Sequence, residues 1–163
     1  MSAESQGVSA AAWQRRFAVD CNNRAWALAS QATRTEEEDR EMLDAAHAAS
    51  FHWNKVGAAV NRARADVLLA HVHAMLGNGA QSLAYARGCL AFFEAGHGED
   101  WDLAFAHMEM AFAGAVLGDA ALHSLHYGAA QRAGEAIADA EDRAVFLVEF
   151  GRIPDRVAVG AAA

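Results

Sequence analysis

Proline is almost missing from this chain: there is one, Pro154, near the C-terminus. An interior proline removes a helix hydrogen bond and clashes with the turn before it, so long helices can run through the rest. Cysteine is nearly as scarce. Cys21 and Cys89 lie far apart and in no metal or redox spacing, which excludes a disulfide framework and suits a reducing compartment. Positive charge is in the minority, with 13 basic side chains against 21 acidic ones and a net charge of −8. Binders of nucleic acid or of anionic membrane surfaces rely on a positive field, so neither partner is expected. Long hydrophobic runs are absent as well. The most apolar, VLLAHVHAMLGNGAQSLAYA, is broken by Gly77-Asn78-Gly79 and makes no single bilayer span. The N-terminal MSAESQGVSA has neither the basic nor the apolar region of a secretory signal. Together these absences predict a soluble, cytoplasmic protein.

What is present reads as helix. Apolar residues make up 54% of the chain but aromatics only 9%. Alanine carries much of the difference and favours closely packed helices. A chain of 163 residues suits one domain and buries roughly 70% of its unfolded surface with no disulfide or metal to hold it. Breaks fall near Arg34-Thr35, Val56-Gly57, Gly77–Gly79, Gly96–Asp100, Gly118-Asp119 and Ala138–Glu141. Thr35 before the acidic run Glu36–Asp39, then Asp100 and Asp119, read as N-caps. No stretch alternates with period two long enough for a strand. The expected organisation is a flexible segment at 1–11, one all-α domain over 12–150 and a flexible tail over 151–163.

The helices repeat. HAMLGNGAQSL (73–83) and GAVLGDAALHS (114–124) share a layout at an offset of 41 residues. Met75-Leu76-Gly77-Asn78 aligns with Val116-Leu117-Gly118-Asp119, and Ala65, Leu69, Ala70 and Ala74 align with Ala106, Met110, Ala111 and Ala115. This gives three hairpins, at 14–55, 58–95 and 100–138, followed by a short helix at 141–150. MLGNGAQSLAYARGCL resembles the core of a tetratricopeptide repeat, with a Leu-Gly-Asn turn and then small residues, Ser82 and Cys89, where two helices approach closely. VLGDAALHSLHYGAAQ is similar, with a slip of about one residue in its second helix. The long period resembles the kinesin-light-chain type rather than the usual repeat of about 34 residues, and the proline that closes most repeats is missing. The resemblance implies a right-handed stack of three antiparallel hairpins, an α-solenoid, with 141–150 as its capping helix. Hydropathy agrees: ADVLLAHVHAML and WDLAFAHMEMAFAGAVL are apolar nearly all round, as helices buried on both sides are, while 35–53 and 119–137 carry more charge and belong outside.

In such stacks the first helices line a concave groove. The register carried over from the family puts Arg64, Val67, His71 and Met75 there, with Phe105, Met108, Phe112 and Val116 from the next hairpin. Trp26, with Asn22 and Asn23, comes from the first. Val67 and His71 stand where the carboxylate-clamp members of the family use Lys and Asn, so an acidic chaperone tail is not the expected ligand. The expected function is a non-enzymatic module holding a protein or peptide in an apolar groove, with no catalytic residue, cofactor or metal. The rival reading is a small-molecule- or metal-binding protein or enzyme using His71, Asp66, His107 and Glu109 in that groove.

Other polar residues carry narrower expectations. Asp66 and His107 occupy equivalent positions in apolar helices, and a buried carboxylate is costly unless paired, so a contact between them is expected. His47 and His52 point about 140° apart on one helix and make no joint site. His71 and His73 face opposite ways. His123 and His126 read as solvent-flanking, with Asp119 used as a cap. Finally, Val145, Phe146, Leu147, Val148 and Phe150 span most of the last helix's circumference. That apolar surface predicts a homodimer with Phe146 or Phe150 in its contact.

Overall fold

The computed structural model describes residues 9–155 and 157. Among them the chain forms seven helices and no strand: α1 (Ala10–Ala29), α2 (Glu36–Val56), α3 (Ala59–Met75), α4 (Gly79–Glu94), α5 (Asp100–Leu117), α6 (Ala120–Glu135) and α7 (Ala140–Phe150). None is long and apolar enough to cross a membrane.

Local chemistry sets the boundaries. The Thr35 hydroxyl accepts from Glu38 N–H, and the Glu38 carboxylate accepts from Thr35 N–H at 2.8 Å. This reciprocal cap leaves Glu36–Asp39 in the first turn, where the helix dipole favours negative charge. Asp119 accepts from Leu122 N–H at 2.9 Å and starts α6. Asp100 does not cap α5, contrary to the expectation from sequence. Glu99 holds the cap position, Asp102 accepts from Glu99 N–H, and Asp100 reaches across to accept from Ala138 N–H at 2.8 Å. That bond ties the start of α5 to the α6–α7 connection. Gly77 and Gly118 end α3 and α5 at φ +76° and +72°. This left-handed geometry favours glycine, and it recurs 41 residues on. α1 begins inside the segment read as a loose lead-in, capped by Ser9; residues 1–8 of that segment lie outside the described residues.

Consecutive helices pack on one another, and α1, α3, α5 and α7 also pack in a row, each on the next. This pattern fits a helical solenoid. α3 and α5 are enclosed on all sides, and α2 buries a single stripe, Met42, Ala46 and Ala49. Ser82 and Cys89 are buried on α4, as their small size predicts. At Gly114 a β-carbon would lie 2.7 Å from His123 N, so the α5 and α6 backbones approach closely there.

The dimer reading is corrected in its residues. Phe146 is fully buried and Phe150 nearly so. They stack on each other at 5.3 Å, Phe146 meets Phe105 at 5.4 Å and fills the space over Gly134, and Phe150 lies 4.6 Å from Tyr127. The chain's own α5 and α6 therefore cover the aromatic face of α7. Of the large apolar residues of α7, Val145, Leu147 and Val148 remain exposed. The following residues are packed as well. Ile153 is buried, Arg152 Nη1 donates to the Ala29 carbonyl at 3.1 Å, and His123 Nε2 lies 2.7 Å from the Pro154 carbonyl. The start of the expected tail thus joins α7 back to the C-terminal end of α1. Residues 156 and 158–163 are outside the described residues.

Candidate functional site

The inner helices enclose a cavity of about 550 Å³, within the range of ligand sites. Each helix contributes one stripe. α1 gives Asn22 and Trp26, with Ser30 at its C-cap; α3 gives Asn61, Arg64 and Val67; α5 gives Trp101, Asp102 and Phe105; α7 gives Asp142, Val145 and Glu149; and α2 adds Trp53. These spacings of three and four residues put each set on one helix face. Three of the chain's four tryptophans meet here.

The wall between α3 and α5 is fixed by a two-pronged ion pair. Arg64 Nε and Nη2 donate to the two Asp102 oxygens at 2.9 and 2.8 Å. Asp102 is fully buried, and its hydrogen bond raises the Arg64 pKa further against the effect of burial. The same guanidinium lies 4.4 Å from the centre of the Trp101 ring. Arg15 sits over Trp53 at 5.8 Å, and the His71 ring is 5.0 Å from Trp26. On α7, Glu149 is 8% exposed, and its Oε2 accepts no hydrogen bond from a described residue; Arg152 Nε stands 3.4 Å from it.

Beyond this wall lies a second polar pair, His71 Nδ1 to Glu109 Oε1 at 3.0 Å, with both side chains sealed from solvent. Burial pushes the Glu109 pKa up, and the His71 interaction opposes this only in part. Burial alone would lower His71, but the Glu109 charge and hydrogen bond raise it. Both shifts keep one proton within the pair. Its outer atoms, His71 Nε2 and Glu109 Oε2, have no protein partner among the described residues.

The structure brings Trp26, Arg64, Val67 and Phe105 together at the cavity. Asn22 lines it as well, and the other six residues assigned to the groove, Asn23, His71, Met75, Met108, Phe112 and Val116, do not. His71 and Met108 are buried, Met75 packs on the α1–α3 core, and Phe112 lies against His71 and the larger core built from α3 to α7. The cavity is displaced about one helical turn toward the N-termini of α3 and α5, where Asn61, Arg64, Val67, Trp101, Asp102 and Phe105 line it. Trp101, Asp102 and the α7 stripe were not anticipated from the sequence. Trp101 sits one turn before Phe105 on the same face, so running the row backward finds it.

Asp66 and His107 do not form the expected bond. Asp66 faces α4, where a β-carbon on Gly88 would come 3.9 Å from its Oδ2, and burial pushes its carboxyl up to about 6. His107 pairs with His126, Nδ1 to Nδ1 at 3.0 Å, and burial lowers both. Equivalent residues of a repeat point the same way, each toward its own following helix, so they do not meet across the seam. The contacts that do cross it, Arg64–Asp102 and His71–Glu109, join residues 38 apart. His52 bonds Gln14 on α1 and His47 meets the edge of His73, so they make no joint site. His123 is buried rather than solvent-flanking. Among the described residues, no three His, Cys, Asp or Glu side chains are grouped to hold a metal ion.

No family model, curated protein or solved structure matches the chain, so the cavity's function rests on its own chemistry.

Proposed function

We propose that the chain is a non-enzymatic binding module, built as a tetratricopeptide-like right-handed stack of three antiparallel hairpins with α7 as its cap, and that it seats part of a protein or peptide partner in the inner cavity. The observation that carries this reading is the convergence of Trp26, Trp53, Trp101 and Phe105 on one cavity of about 550 Å³. Aromatic anchors of this kind dominate binding interfaces. Val145, Leu147 and Val148, exposed on α7, offer apolar surface beside it for a longer partner. The cavity is built from one chain and needs no second copy. The two free thiols fit a cytoplasmic location.

A small-molecule ligand is the second reading. The Arg152–Ala29 bond joins α7 to α1 and shortens the inner row to a pocket of the size that a single small ligand fills. Catalysis has less support. His71 and Glu109 are sealed away, Asp66 faces α4 and His107 faces α6, so the four candidates share no reacting point.

The test is capture by the full chain from its native cell extract, comparing Val145→Trp, which crowds the cavity, with Leu125→Trp, an exposed α6 position that does not line it. A partner kept by Leu125→Trp and lost by Val145→Trp supports the reading. Equal retention by both refutes a role for the cavity.

A further inference from the structure

We infer that the chain associates head to tail with a second copy of itself: the outer face of α7 on one copy docks in the groove between α1 and α2 on the next. None of the residues that form this contact lines the cavity.

Exposed apolar residues mark the two faces. Among the described residues nine large apolar side chains are exposed, and seven of them lie on α1, α2 and α7, the first hairpin and the last helix of the row. Apolar surface gathered in this way, rather than scattered, usually marks an interface. On α7, Val148 points about 180° away from the buried pair Phe146 and Phe150, with Ala144 and Glu141 on its side of the helix. On the first hairpin a row of rings crosses both helices. Trp13 stacks on Phe17 at 5.6 Å, Phe17 lies 5.5 Å from His52, and Phe51 lies 5.3 Å from His52. One turn further along each helix the row gives way to a shallow groove of about 600 Å³, lined in part by Cys21, Ala45 and Ala48. Small side chains there let another helix come close. The Arg152–Ala29 bond lies about 18 Å from Phe17 along α1 and leaves this face open.

Charge selects a second copy as the occupant. The chain carries a net charge of −8, yet cations border the aromatic row. Arg16 lies over Trp13 at 5.6 Å and Lys55 over Phe51 at 5.1 Å. Arg16 has only the exposed Asp20 beside it, at 3.5 Å, and Lys55 has no carboxylate within 4 Å among the described residues. The α7 face carries the opposite charge, because its first turn holds Glu141 and Asp142, both exposed. Complementary charge of this kind fixes register. The spacing agrees as well. Glu141 and Val148 are seven residues apart, and so are Lys55 and Ala48, so each pair spans about 10.5 Å. With α7 antiparallel to α2 of the next copy, Glu141 meets Lys55, Ala144 sits against Phe51, and Val148 enters the groove at Ala48. The two surfaces differ, so a docked copy keeps its other face free to take another.

Sedimentation velocity and light scattering on the full chain test this. One helix on one hairpin makes a small interface, so the useful range is from about 10 micromolar to about 1 millimolar. The weight-average mass should rise with concentration above the monomer's 17.3 kDa. Val148→Arg blocks the α7 face and Ala48→Arg blocks the groove, and each variant alone should stay at the monomer mass. Mixed in equal amounts they should form pairs, because one intact α7 face then meets one intact groove. Glu141→Lys should weaken association of the parent by about threefold to tenfold, and adding Lys55→Glu to the same chain should restore it. Thermal melts confirm that each variant is folded. A parent that stays monomeric throughout, single variants that associate as well as the parent, or a mixture no more associated than its components overturns the inference. A monomeric chain that instead sediments with phosphatidylserine vesicles would assign the aromatic row to a membrane surface and overturn it too.

Discussion

Asp66 offers a direct test of how the interior handles charge. It lies half-buried on α3 against Gly88 of α4, and no described residue donates a hydrogen bond to it. Burial without a donor disfavours the carboxylate and moves its pKa from 3.8 up to about 6. The folded chain therefore holds a proton through a window in which the unfolded chain releases it. Stability from this group is complete below 3.8, falls as pH rises toward 6, and is fully lost above that. A rise of that size sets a ceiling of about 3 kcal/mol. Since Asp66 is partly open to solvent, screening reduces this to about 1–2 kcal/mol. Asp66→Asn keeps the shape and removes the titration. It should stabilise the protein by about 1–2 kcal/mol near pH 7.5 and change little near pH 3.5, where both side chains are neutral. Urea denaturation of both proteins across that range, followed by circular dichroism, gives the difference directly, and titrations elsewhere cancel. An asparagine variant no more stable than the parent at neutral pH, or a difference independent of pH, would refute the account and mean that Asp66 is well solvated or hydrogen-bonded when charged.

Three further outcomes follow from the packing. Glu109→Leu should cost about 3–5 kcal/mol by leaving His71 buried and unpaired, while the double change His71→Phe with Glu109→Leu should recover most of it; chemical denaturation of the three proteins measures the coupling. Gly114→Ala should lower stability by about 1–3 kcal/mol, because the added methyl meets the α6 backbone 2.7 Å away and backbone cannot step aside; a thermal melt checks it. Thiol titration of the native protein should modify Cys21 and spare Cys89, which is fully buried and whose thiol is pushed strongly upward by burial, until denaturant exposes it.

The elements were legible because each boundary is written locally. Thr35 with Glu38, Asp119, and the glycines at 77 and 118 act within a few residues of themselves, and breaks read from them fall within about five residues of the observed ends. The inner position of α3 and α5 was equally plain, since helices apolar nearly all round must be covered on every side. The closure of the array was not legible. Nothing local in Arg152 says that it bonds the Ala29 carbonyl 123 residues earlier, a contact that ties the end of the array back to α1. The apolar band of α7 was visible, but the side that α5 and α6 would cover was not. Phe146 and Phe150, four apart, share the inward face, while Val145, Leu147 and Val148 are left outside.

The polar residues show why periodicity finds helices more readily than it finds sites. A repeat relates neighbouring helices nearly by translation, so residues at matched positions point in parallel and cannot be each other's partners. Asp66 and His107 obey this: one looks toward α4 and the other toward α6. A seam contact has to join two unmatched positions, one on each facing side. Here the offset is 38 rather than 41, and it occurs twice, at Arg64–Asp102 and at His71–Glu109. The two pairs are seven residues apart on both helices, two turns along the same seam. One ends at the cavity wall and the other lies sealed behind it. Their surroundings differ: Arg64–Asp102 borders the cavity that α7 also lines, while His71–Glu109 is sealed from solvent, so two like contacts on one seam end one at a cavity wall and the other in the core.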